Sequence, residues 1–132
     1  MSGHVLAPGQ ADGEVLTLGA PLSLWGGLDP ATGAIVDPRH PEYGRAVTGR
    51  VLVMPSGRGS SSSSTVLAEA IRLGTGPAAV ILREPDGILA LGSIAARHLY
   101  GVAVPVVIWN GSLPEGRVRV RAQGTTVSID PA

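Results

Sequence analysis

The chain has 132 residues, 44% of them hydrophobic, with ten arginines against ten acidic side chains and a formal net charge of zero at neutral pH. That is one domain with enough apolar material for a core, and it lacks the basic excess on which nucleic-acid binding draws. Neither cysteine nor lysine occurs, which excludes disulfides, thiolate nucleophiles, cysteine metal ligands, lysine Schiff bases and a Walker-type phosphate lysine within this chain.

The opening MSGHVLAPGQ lacks the charged and apolar regions of a signal peptide, and no apolar run reaches the roughly 20 residues that span a bilayer, so a cytoplasmic chain is expected. From Gly13 to Val36, GEVLTL, PLSLW and AIV read as strands, with Asp29-Pro30 and Gly33 turning between the last two, and an antiparallel meander is expected. In DPRHPEY, Asp37 to Tyr43, two prolines exclude a helix or a central strand and leave an ordered surface loop. Arg50 to Met54 is a continuous apolar strand of the kind buried on both faces. Thr65 to Leu73 then carries a helical stripe of Val66, Leu67, Ala70, Ile71 and Leu73, ended by Gly74. The cycle repeats with a strand at Ala78 to Leu82, a helix at Ile88 to Leu99 whose apolar face is Ile88, Leu91, Ala95 and Leu99, and a strand at Val104 to Ile108. RVRVRAQ and TTVSI alternate with period two around Gly124 and close the chain with strands. The fold class is therefore α/β, a right-handed βαβαβ core flanked by antiparallel strands.

The chemistry concentrates in GRGSSSSS, Gly57 to Ser64, between the first buried strand and its helix. A linker would separate two folding units, and a chain of this length has no room for two; the run is a strand-to-helix turn. Gly57 and Gly59 permit close backbone approach, and a serine caps the orphan amides of the helix that follows. Two readings stay open at this level. One serine caps and the others are solvated, or the helix amino end and several hydroxyls together cradle a carboxylate or phosphate, with Arg58 as a bidentate clamp. A nucleophile elbow is excluded, because Gly59 is followed only by serines. Of the histidines, His98 suits the carboxyl end of its helix and His40, beside Asp37 and Arg39, suits a hydrogen bond that stiffens its loop; His4 has no compelling spacing. Trp25 and Trp109 are expected in core and rim packing. Glu69, Glu84 and Asp86 are expected to be solvated or to serve helix ends.

Taken together, SLWGGLDPATGAIVDPRHP, VTGRVLVMPSGRGSSSSS and GPAAVILREPDGILALGSIAARHLYGVAVPVV resemble the small subunit of the aconitase X family, the swivelling domain of aconitase-like hydro-lyases. The resemblance runs from about Gly9 to Ala122. It implies a swivelling β/β/α domain with a mixed or barrel-like sheet, one domain over residues 1–132. It further implies a heterodimer in which a large subunit carries an iron-sulfur cluster that acts as Lewis acid on the leaving hydroxyl, while this chain closes over it. In that family the serine after the glycine is the base, which here is Ser60, with Gly59 beside it. Ser61 and Ser62 fall where aconitases proper hold a substrate carboxylate with a serine and an arginine. The arginine is replaced by Ser62, a departure that argues against tricarboxylate substrates; Ser61 departs from members with cysteine there. The family's substrates are cis-3-hydroxy-L-proline, dehydrated to 1-pyrroline-2-carboxylate, and 5-phosphomevalonate, dehydrated to anhydromevalonate phosphate. The lysine-free composition favours the bacterial, hydroxyproline branch. Two rival classes are a non-catalytic anion-binding module using the same turn, and a phosphotransfer-type swivelling domain with His40 as phosphate carrier.

Overall fold

Two short strands carry apolar residues at every position, β5 (Val51–Met54) and β6 (Ala79–Leu82), and all eight side chains are buried. Uniform burial means cover on both faces, as parallel strands require. Val51, Val53, Ala79 and Ile81 pack into one apolar cluster, while Leu52, Met54, Val80 and Leu82 pack into the other. The computed structural model, which describes residues 3–56 and 62–132, builds the rest of the molecule around this pair.

The described strands of the main sheet lie in the order β1-β7-β6-β5-β2-β8-β9. β2 (Gly9–Thr17), β5, β6 and β7 (Val106–Trp109) are mutually parallel. β1 (Gly3–Ala7) joins β7 antiparallel at one side; β8 (Arg117–Gln123) and β9 (Thr126–Pro131) join β2 antiparallel at the other. Val5 of β1 shares one cluster with Val127 and Ile129 of β9, so the sheet curls until its two edges meet across an apolar interior, nearly closing a barrel. The outer face is covered by α2 (Ser62–Leu73) and α3 (Gly87–Tyr100). The expected βαβαβ core is thus present, with α3 begun by Asp86, whose Oδ1 accepts the Leu89 amide at 3.0 Å, and ended by Gly101 in the left-handed region.

The expected meander is not formed. PLSLW makes no sheet strand: Leu22 and Leu24 are buried anchors, and the chain folds into a single irregular turn, α1 (Leu24–Gly27), with Gly26 at φ 78°. Only the last part survives, as a separate hairpin of β3 (Leu28–Asp29) and β4 (Ala34–Ile35), where Gly33 takes φ 76°. β2 pairs instead with β5 and β8, which lie far along the chain. Trp25, expected in packing, is 63% exposed on α1, whereas Trp109 packs half-buried against the barrel interior.

The face of α3 is also reversed. Ile88, Leu91 and Leu99 are 41%, 58% and 69% exposed, and the helix buries Leu89, Ala90, Gly92, Ser93 and Ala96 instead. The reason is the approach distance. A Cβ on Gly92 would collide with the Ser64 carbonyl oxygen and lie 3.1 Å from Leu67 Cβ, and the Ser93 hydroxyl donates to the Val104 carbonyl. Only a small-residue face lets α3 come that close, so the bulky residues turn outward.

Outside the core, Asp12 of β2 faces Arg119 of β8 across the antiparallel ladder, joined by hydrogen bonds of 2.8 and 3.1 Å. These hydrogen bonds hold the Asp12 carboxyl below its ordinary value, against the smaller opposing effect of burial. A depressed carboxylate stabilises the fold above its unfolded pKa and loses that contribution as pH falls through the folded one. Asp12→Asn is therefore expected to melt at a lower temperature than the parent at pH 7, with the gap closing below about pH 4, as a pH series of thermal melts would show.

Candidate functional site at the carboxyl edge of the sheet

Four parallel strands deliver their following segments to one edge, the place where open α/β sheets gather ligand-binding loops. Residues 18–23 leave β2, 55 and 56 leave β5, 83–86 leave β6 and 110–112 leave β7. The exits of β2 and β5 are adjacent, since the Leu18 amide donates to Val53 O at 2.7 Å. Arg83 knits the other two: one Nη1 donates to the carbonyls of Trp109 at 2.6 Å and Gly111 at 3.0 Å. The amides of Arg83 and Glu84 donate to Pro55 O at 3.2 and 3.1 Å, so the segment leading to the serines starts from a fixed point.

α2 begins at Ser62, and Ser63 and Ser64 lie in its first turn, as expected for helix-starting residues. Arg58, Gly59, Ser60 and Ser61 lie outside the described residues, so of the expected site residues Ser62 is the one with a described position. That position is the amino end of a 12-residue helix, where the helix dipole favours an anion. Gly92 presses α3 onto Ser64, and α1 packs against α2, which fixes the helix end at this edge.

Beside it, the DPRHP loop is a rigid, ordered loop, as expected. The His40 ring is 7% exposed, with Nε2 3.1 Å from Ala20 O and Nδ1 accepting the Glu42 amide at 3.0 Å. An accepting Nδ1 requires the proton on Nε2, which then donates to Ala20, so both nitrogens are engaged. Burial and double use leave no nitrogen for a phosphoryl group and set aside the phosphate-carrier reading of His40. Glu42 reinforces the clamp by accepting the Gly19 amide at 2.6 Å. Between these segments opens a cavity of about 440 Å³, lined by Ala20, Pro21 and Ser23 on one side and Asp37, Arg39, His40 and Pro41 on the other. Asp37 Oδ1 accepts the Arg39 amide at 3.0 Å, and among the described residues the Arg39 guanidinium makes no hydrogen bond or ion pair.

His98 is exposed in the last turn of α3, away from this edge, and His4 is exposed on β1 opposite Ile108, near the end of β7. Arg83 and the cavity went unread in the sequence. The signal for Arg83 is its place, directly after a fully buried parallel strand. As for a cluster, the chain has no cysteine and no three His, Asp or Glu gather among the described residues, so these residues do not fit iron-sulfur ligation.

The profile of the aconitase X swivel domain matches residues 1–132. A cis-3-hydroxy-L-proline dehydratase of Pseudomonas aeruginosa is 50% identical over 78% of this chain, a match that spans 18% of that protein's length. A phosphomevalonate dehydratase small subunit of Pyrococcus furiosus is 37% identical over 98% of this chain and 93% of its own. The crystal structure of Thermococcus kodakaraensis aconitase X in its holo-form superposes with a TM-score of 0.83 at 34% identity, covering 97% of this chain and 95% of that one.

The contact at Gly92 has a direct test. Gly92→Ala is expected to destabilise the fold by about 1–3 kcal/mol, as overpacking does, whereas Gly87→Ala, whose added methyl meets nothing within 4 Å, leaves the melting temperature unchanged or slightly raised.

Proposed function

The chain belongs to the aconitase X swivel-domain family, and on that premise we propose that it is the small part of a two-part hydro-lyase that removes water from a hydroxy acid. The foremost substrate is cis-3-hydroxy-L-proline, converted to 1-pyrroline-2-carboxylate; the 50% identity to the Pseudomonas aeruginosa dehydratase supports this. A second reading is phosphomevalonate dehydratase, supported by the 37% identity to the Pyrococcus furiosus small subunit over 98% of this chain.

The observation that carries the proposal is the helix start at Ser62 on the carboxyl edge of the sheet. In this reading Ser60 is the base. Its oxygen takes the proton from the carbon next to the carboxylate, the electron pair left behind forms a carbon–carbon double bond, and the hydroxyl departs from the neighbouring carbon as water. With hydroxyproline the resulting enamine tautomerises, moving a proton from nitrogen to carbon, to give the 1-pyrroline. A serine oxygen is a weak base unless its negative form is stabilised, and the positive end of α2 supplies that stabilisation. Gly59 allows the backbone close to the substrate, Ser61 and Ser62 hydrogen-bond its carboxylate, and Arg58 adds charge.

The iron-sulfur cluster belongs to the large partner subunit in this proposal, since this chain offers it no thiolates. The match spans 18% of one relative's length, and in this proposal the remainder of that relative corresponds to the large part. A surface for it exists at the edge of the cavity: Trp25 and Tyr43, 63% and 59% exposed, lie within two residues of lining Ser23 and Pro41. Exposed aromatics beside a polar cavity suit burial by a partner that closes over it. No helix among the described residues is long and apolar enough to cross a membrane, and the proposed place of action is the cytoplasm.

Purified with its large partner, the chain is expected to dehydrate cis-3-hydroxy-L-proline, with 5-phosphomevalonate as the comparison substrate. Ser60→Ala should lower turnover by about 10²-fold or more with assembly intact by size-exclusion chromatography; wild-type-like turnover would sink the base assignment. Tight anion binding by the isolated chain, with no dehydration in the complex, would favour a binding module.

A further inference from the structure

Resting on the dehydratase reading, we propose that the cavity at the His40 loop is a charge-reading subsite for a zwitterionic imino acid, in which Asp37 pairs with the ring ammonium and Arg39 with a carboxylate oxygen. The loop carries one acid and one base two residues apart, and the two side chains are not spent on each other. Among the described residues no ion pair joins them, and the guanidinium has no other partner. Both line the same cavity, whose volume of about 440 Å³ falls in the range of small-molecule sites.

Their placement is rigid. Pro38 and Pro41 restrict the backbone, Asp37 Oδ1 is tied to the Arg39 amide, and the Asp37 carbonyl accepts the His40 amide at 3.1 Å. The buried His40 ring then fastens this loop to Ala20, at the exit of β2 beside β5. A rigid pair of opposite charges lining one cavity matches an α-imino acid, whose carboxylate and ammonium sit on the two sides of one carbon. Arg39 takes a carboxylate oxygen and Asp37 the ring nitrogen. A phosphorylated hydroxy acid carries only negative charge and meets Asp37 as a repulsion, so Asp37 is the discriminating residue.

The experiment uses the assembled two-subunit enzyme. Asp37→Asn keeps the oxygen that accepts the Arg39 amide and removes only the charge; Arg39→Gln removes the guanidinium, and Arg39→Lys restores a point charge. With cis-3-hydroxy-L-proline, both Asp37→Asn and Arg39→Gln are expected to raise KM about tenfold or more, by more than kcat falls, with Arg39→Lys intermediate and melting temperatures unchanged. Unchanged KM in both variants overturns the proposal, and so does turnover of 5-phosphomevalonate in preference to hydroxyproline. If neither substrate turns over, the dehydratase reading falls separately, and binding decides this one. L-Proline bound more tightly than tetrahydrofuran-2-carboxylate, which has oxygen in place of the ammonium, with the preference lost in Asp37→Asn, supports the subsite. Equal binding overturns it.

Discussion

Burial of β5 and β6 on both faces is the constraint from which the remainder of the molecule follows. Eight apolar positions, four consecutive ones in each of two short strands, have no solvent side. One face must therefore be covered by helices and the other by more sheet. Right-handed crossovers place α2 and α3 on the first face, and the antiparallel flanks bend round to cover the second until β1 meets β9. With the strands parallel, the segments that follow β2, β5, β6 and β7 all emerge at one edge, and the candidate site is placed there for that reason.

The second layer of placement is finer and depends on small side chains. α3 reaches α2 through Gly92, Ser93 and Ala96, at a distance a larger residue would not allow. That contact falls on the first turn of α2, so the packing of one helix sets the position of the other's amino end. The two loops beside it are held by polar bonds instead, Arg83 on one side and His40 on the other. Apolar packing positions the helix, and hydrogen bonds position what faces it.

The βαβαβ core was legible because its signals are local: continuous apolar strands, helical stripes, and Gly74 and Gly101 after the helices. β1 and the first half of β2 were not, since GHVLA and GQADG are poor strand formers whose pairing is settled by β7 and β8, about a hundred residues away. The α3 face was misread for a related reason. Periodicity marks bulky residues, while the buried side was chosen by a close approach that only the facing helix dictates. In the site, the helix start within the serine run and the stiffening role of His40 could be read from residue types and neighbours. The cavity could not, because its walls are joined by bonds spanning about twenty residues, such as His40 to Ala20, that no local pattern announces.

Trp25, two residues beyond cavity-lining Ser23, is 63% exposed, while Trp109 is half-buried with its indole N–H on Ser112 O at 3.3 Å. They are the only two tryptophans in a chain without phenylalanine and with only two tyrosines. The protein thus carries a built-in optical gauge: one indole bathed in water where a partner would close, and a second fixed in the fold as an internal reference. Emission that shifts to shorter wavelength on mixing, and fails to shift once Trp25 is replaced, would time the closing of the mouth without any added label.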